Sequence, residues 1–300
     1  MNIKMKKTIK FLFLSTFTLL AFSACSEDEL DPNSIFVDSE IALTPLEKYI
    51  EREYTKPYNI SILYKYVDIE SNMNYNLSPA TYDASVRMTK LMQYLAIEPY
   101  DEVTGSKVFI RNYFPKILNY VGSPAYNNNG TMVLGTAEGG RKITLFNLNA
   151  LTPARAVDKD YLLNMYFRTI HHEFAHIFHQ TKPYSASFKQ ISGTDYVQDQ
   201  WNVEFNNTTA LQAGFISPYA SKDANEDFVE LISFYILLTE AEWNARMTTA
   251  GANGRAIINE KFDIVRNYMD VSWGIDLDEL RDNIQGRLDN LASFDQTTID

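Results

Sequence analysis

The stretch that most constrains this chain runs from Thr169 to His179 and contains His172-Glu173-x-x-His176. On a helix, residues four apart lie about one turn apart on one face. Two imidazoles so placed can grip one Zn²⁺, and the Glu beside the first reaches a water on the metal. Thr169, Ile170, Phe174, Ala175, Ile177 and Phe178 fill the gaps, all uncharged, as a buried helix requires. All 4 histidines of the 300-residue chain fall between His171 and His179.

A catalytic zinc takes three protein ligands and keeps one position open. A third histidine of the metzincin pattern would fall at position 182, which is Lys182. His179 shares the face of the pair but sits roughly 10 Å along the axis from His172, too far for one ion. It is expected to pack or to support, and His171, on another side, to be structural. The third ligand is then a carboxylate. The best source is the stretch 225–231, where Glu226 and Glu230 stand four apart on one helical face among Phe228, Val229 and Leu231. Two unpaired carboxylates that close repel, and a cation would resolve the conflict. One can ligate the metal while the other orients a ligand histidine. Geometry alone allows either order.

Around these segments the pattern predicts a helix over 45–54, a strand over 59–67, and helices over 78–95 and 107–114. Strands are expected at 117–121, 131–134 and 142–148, with a turn at 127–130 and a loop at 135–140. Asp158 or Asp160 is positioned to cap the motif helix, which should end near Gln180. A polar connection covers 184–217. Asn225 or Asp223 should cap the next helix, and Thr239 to Glu242 reads as a capping box. Helices over 255–268 and 277–291 finish the chain. The expected class is α+β: a mixed N-terminal half with a small sheet, the HExxH helix, and a mostly helical C-terminal half. An edge strand, 131–134 or 142–148, could pair with an extended peptide.

The start of the chain speaks to its compartment. Lys4, Lys6, Lys7 and Lys10 precede an apolar run over 11–21, too short to span a bilayer. Ser23-Ala24-Cys25 follows, with the single cysteine of the chain. This resembles a bacterial lipoprotein signal, with 1–24 removed and Cys25 lipidated. The acidic run 27–29 resembles the surface-export signal of Bacteroidetes lipoproteins and opens a tether over 25–43, ahead of one catalytic domain over 44–300. One cysteine excludes an internal disulfide framework. Without the four signal lysines, 23 basic face 38 acidic side chains, a balance of −15. Such a surface repels nucleic acid and anionic lipid headgroups, so a lipid anchor would be the only membrane attachment.

The segments His172-Glu-Phe-Ala-His176 and Glu226-Asp-Phe-Val-Glu230 resemble the gluzincin-type site of anthrax lethal factor and its relatives. That resemblance implies Glu226 as the third zinc ligand, Glu230 as the support of a ligand histidine, and Tyr219, seven residues before Glu226, as a catalytic tyrosine. With its signal, the whole chain resembles the substrate import-associated zinc metallohydrolase lipoproteins of Bacteroidetes. This implies a zincin-like metallopeptidase acting on peptide or protein at the outer membrane. It also implies association with a TonB-dependent nutrient importer and its lipoprotein partner. In such a site Glu173 is the general base. Two other classes compete: an accessory lipoprotein that keeps zinc structurally, and a zinc amidase with a non-peptide substrate. A structural zinc site usually has four ligands, whereas three are evident here, which favours an enzyme.

Overall fold

The computed structural model describes residues 42–70, 74–126, 132–133, 135–138 and 140–299. The signal, Cys25, the acidic tether up to position 41 and the expected turn at 127–130 lie outside the described residues. From Leu43 onward the chain forms one compact unit.

Its order is that of an α+β protein, as expected. Four strands form one sheet in the order β1-β2-β6-β5. β1 (Ser61–Leu63), β2 (Ile117–Tyr120) and β6 (Lys142–Leu145) run parallel, and β5 (Gly135–Glu138) closes the far edge antiparallel to β6. The three parallel strands bury Ile62, Leu118, Tyr120, Ile143 and Leu145. Helices between β1 and β2 supply the crossover that parallel neighbours need. β3 (Ala125–Tyr126) and β4 (Met132–Val133) pair separately as a small hairpin.

Several sequence expectations change. The strand expected over 59–67 pairs only over Ser61–Leu63. The helix expected over 78–95 begins at Tyr82, where the Thr81 hydroxyl accepts from the Ala84 amide. It runs on through a π turn into a helix over Glu98–Thr104. Pro99 stands in the first turn of that helix, where no amide donor is missed. The segment 135–138, expected as loop, is β5. Of the strand expected over 131–134, Met132–Val133 joins the hairpin, and the strand expected over 142–148 ends at Leu145 and pairs on both sides, so neither is the open edge of the main sheet.

The motif helix (Arg168–Thr181) grows from a short helix capped by Asp158, through a π turn over Leu163–Phe167. Its inner face carries Ile170, Phe174, Ala175 and Phe178, all fully buried. Phe174 and Phe178 pack their rings 4.7 Å apart, among Tyr100, Phe109, Phe114 and Trp273. β5 lies alongside this helix, so closely that a Cβ at Gly135 would come 3.2 Å from the Thr169 methyl group.

The C-terminal half is helical. Three helices, Ala186–Ser192, Trp201–Glu204 and Asn207–Gln212, occupy the stretch expected as a polar connection. The acidic helix (Ala224–Leu237) is capped by Asp223, which accepts from the amides of Asn225 and Glu226. It is buried from Glu226 to Leu237 and packs on the motif helix. Within it, Asp227 forms a fully buried ion pair with Lys261 at 2.6 Å, and Tyr196 donates to the same carboxylate oxygen at 3.0 Å. The Thr239–Glu242 capping box opens a long helix over Glu240–Tyr268, broken at Gly251. Beyond the break, Gly254 lets this helix approach the helix Asn207–Gln212, since a Cβ there would lie 2.1 Å from the Leu211 carbonyl oxygen. A last helix covers Leu277–Asp289. Among the described residues no helix is long and apolar enough to cross a membrane.

Candidate metal centre

The apolar face of the motif helix is fixed by its packing, and this aims the polar face at the acidic helix. His172 and His176 come from the first, Glu226 and Glu230 from the second. The Nε2 atoms of His172 and His176 stand 3.2 Å apart, and Glu226 Oε2 lies 3.1 Å from one and 3.2 Å from the other. Three donor atoms of a metal ligand set therefore meet in one small triangle. Ligands at about 2.0–2.1 Å from a tetrahedral zinc are about 3.3 Å from each other, so the triangle has the size of one face of that tetrahedron.

The protons around the triangle are arranged to match. His172 Nδ1 lies 2.7 Å from Glu230 Oε1 and donates to it. The other Glu230 oxygen accepts from the Ser217 hydroxyl at 2.5 Å. With Nδ1 engaged by Glu230, Nε2 is the His172 nitrogen that faces the triangle. His176 Nδ1 lies 3.0 Å from His179 Nε2. Burial, with His176 beside it, lowers the His179 pKa to about 4, so His179 is neutral and can accept. With Nδ1 engaged by His179, His176 likewise turns its Nε2 to the triangle. Two imidazole nitrogens and a carboxylate oxygen this close need a positive charge among them, which a proton on an imidazole or a metal ion supplies. The local field agrees. Burial opposes a charge on His172, yet contacts with Glu226 and Glu230 outweigh it and push its pKa up to about 10. Burial likewise opposes the Glu226 charge, but His172, His176 and Lys222 hold that carboxyl well below its ordinary range. The pocket is built for positive charge, and a two-nitrogen, one-carboxylate donor set fits Zn²⁺.

Glu173 sits half-buried beside the pair, lining a recess of about 220 Å³ with His172, Tyr219 and Glu230. It has no hydrogen-bond or ion-pair partner among the described residues. Tyr219 comes from the turn before the acidic helix, and its hydroxyl donates to Glu226 Oε1 at 3.0 Å. Burial and the Glu226 charge push its pKa up to about 12, so it keeps its proton as a donor. The structure therefore brings His172, Glu173, His176, Tyr219, Glu226 and Glu230 into one cleft. His171 faces the core, where it meets the Tyr100 hydroxyl at 3.1 Å, and burial lowers its pKa to about 4.

Two residues of the site are not legible in the sequence. Lys222 reaches Glu226 Oε1 at 3.0 Å and the Tyr219 hydroxyl at 3.2 Å. Its spacing of four from Glu226 was a signal, but it precedes the helix cap and so belongs to no helical face. Ser217, which fixes Glu230, gives no signal at all, because serine before a proline reads only as a turn.

A protein-family model described as "Putative zinc-binding metallo-peptidase" matches residues 39–278. Among solved structures, the chain is similar to a crystal structure of a "putative zinc-binding metallo-peptidase" from Bacteroides caccae ATCC 43185. The two share 36% sequence identity and a TM-score of 0.77, over 89% of this chain and 100% of the other. A search of the curated proteins found no match.

Proposed function

Because the chain belongs to this zinc-binding metallo-peptidase family, we propose that it hydrolyses peptide bonds, with His172, His176 and Glu226 holding Zn²⁺. The observation that carries the reading is the triangle of two Nε2 atoms and one carboxylate oxygen, with sides of 3.1 to 3.2 Å.

When bound, the metal supplies Lewis acidity to a substrate carbonyl and to the attacking water. The protein's own groups do the rest. Glu173, unpartnered and open to the cleft, takes a proton from the water as its oxygen bonds the carbonyl carbon. It then passes that proton to the amine as the C–N bond breaks. Tyr219 donates a hydrogen bond to the developing oxyanion. Glu230 and Ser217 hold the His172 ring, and His179 holds His176, so the ligand set is oriented before substrate arrives. The free edge of β5, beside the motif helix, offers main-chain hydrogen bonds to an extended peptide.

The signal-like segment supports placing the protein on the outer membrane through lipid at Cys25, facing the outside. There it would trim peptides for a TonB-dependent importer and its lipoprotein partner. Metal analysis of the purified chain, paired with a peptide-library digest, tests the enzymatic reading. One zinc per chain with cleavage of internal peptide bonds is the expected result. A metal-free chain, or a zinc-loaded chain that cleaves no peptide, overturns it.

A further inference from the structure

The cleft continues past the metal centre into a cavity of about 660 Å³, and the walls of that cavity carry two arginines. Arg168 lies on the motif helix, four residues before His172, so it shares the face of the metal-facing imidazole one turn away. Arg246 comes from the long helix over Glu240–Tyr268. Both are half-buried, and both stand over one ring: their guanidinium carbons lie 5.4 and 4.6 Å from the centroid of Phe234.

Neither arginine has an ion-pair partner among the described residues. The Arg168 side chain makes no hydrogen bond among the described residues, and Arg246 spends one donor on the Ile216 carbonyl oxygen at 3.2 Å. Glu173 shares a recess with Arg168 without forming an ion pair to it, and the other nearby acids are engaged or too distant. Both oxygens of Glu230 are taken, by His172 and Ser217. Glu242 Oε2 accepts from the Thr239 amide and hydroxyl, at 2.8 Å each. Glu242 and Asp160 line a further recess beside the two arginines, yet neither comes within ion-pair distance of them. Two like charges desolvated in one cleft are costly unless an anion joins them. Burial and the neighbouring Arg168 accordingly push the Arg246 guanidinium below its ordinary pKa.

We propose that Arg168 and Arg246 form a carboxylate-binding subsite, which selects peptides carrying a carboxylate close to the scissile bond. The inference rests on the peptidase reading for its substrate class. A guanidinium presents a planar fork that matches a carboxylate with two parallel hydrogen bonds. The four residues from Arg168 to His172 rise about 6 Å along the helix, or roughly two residues of extended peptide. The carboxylate therefore belongs about two residues from the bond that is cut. It is either the C-terminal group of a short peptide or the side chain of an Asp or Glu. Trp201, Asn207 and Tyr219 complete the wall and limit what accompanies it.

Binding reads this without turnover. Fluorescently labelled random tetrapeptide pools are titrated into the zinc-loaded Glu173→Gln protein. One pool is neutral and amidated, one neutral with a free C-terminal carboxylate, and one amidated with a single Asp. At least one carboxylate pool should bind about 10-fold more tightly than the neutral amide, the usual gain from a charge-assisted contact. The pool that gains identifies the source of the carboxylate. Arg168→Gln and Arg246→Gln should each erase the gain while zinc content stays at one per chain. Arg168→Lys and Arg246→Lys, which keep charge and stem but lose the fork, should leave a gain of only a few-fold. Equal binding of all three pools overturns the subsite, and so does a preference that survives both Gln substitutions, which would place the carboxylate on the metal. A zinc-loaded wild-type chain that cleaves nothing sinks the peptidase reading alone, since the preference is measured apart from cleavage.

Discussion

Glu230 backs His172: its Oε1 takes the Nδ1 proton at 2.7 Å, and Ser217 pins its other oxygen. The neighbouring Glu226 instead faces the Nε2 side, where it meets both imidazoles. The two carboxylates four residues apart therefore differ in place, one facing both Nε2 atoms and one behind the His172 ring. Glu226→Ala should abolish tight zinc binding. Glu230→Ala should weaken it by roughly 10–100-fold. Zinc titration of the two variants measures both, and the reverse order would overturn the assignment.

Glu173 has no role in holding the metal under this scheme. Glu173→Gln should keep zinc near one per chain and lower hydrolysis by at least roughly 10²-fold. Metal content and turnover of the same preparation give the answer, and a fully active variant would remove the proposed base.

Tyr219 stays protonated, packs its ring 5.8 Å from that of His172 and donates to Glu226. Tyr219→Phe should lower kcat by roughly 10²-fold, as loss of an oxyanion donor does, with zinc affinity changed little. Lys222 shares its partners, so Lys222→Met should loosen Glu226 and raise the zinc dissociation constant. A Tyr219→Phe protein that lost zinc and kept its kcat would place the hydroxyl in metal support instead.

The Asp227–Lys261 pair lies beneath the site, with both side chains fully buried. Removing the cation leaves an uncompensated carboxylate in the core. Lys261→Met should destabilise the fold by about 3–5 kcal/mol. A fall of roughly 10 °C in the thermal midpoint is expected for a protein of this size. An unchanged midpoint would mean that the core tolerates Asp227 unpaired.

Gly254 tests how tightly the C-terminal helices are packed. An alanine methyl would fall 2.1 Å from the Leu211 carbonyl oxygen, and backbone has little room to yield. Gly254→Ala should cost about 1–3 kcal/mol, measured by denaturant unfolding, with activity per folded molecule retained.

How much of this is legible in the sequence follows from how local each signal is. His172, Glu173 and His176 are readable because their geometry is set by one helix. Glu226 and Glu230 are readable as a pair because carboxylates rarely face one another on an apolar helix. Their separate roles come from contacts across helices, which spacing leaves open. β5 escapes because Gly135 presses against Thr169, so the strand lacks the side chains that mark one. The helices within 184–217 escape because they bury few apolar groups, such as Phe188, Ala210 and Leu211, and their remaining surface is largely polar. Arg168 and Arg246 meet only through Phe234, and no local pattern connects them.

The outer strand beside the motif helix, β5, covers four residues, Gly135–Glu138. An open strand edge is also an invitation to identical neighbours, most of all for molecules tethered side by side at high surface density. At about 3.3 Å per residue, this one offers a template of only about 13 Å, too brief to seed stacking between copies. The same brevity limits the register that a visiting chain can find. Under the proposed peptidase reading, loose ends and slack loops would be held there, while a well-folded neighbour would have nothing to lend.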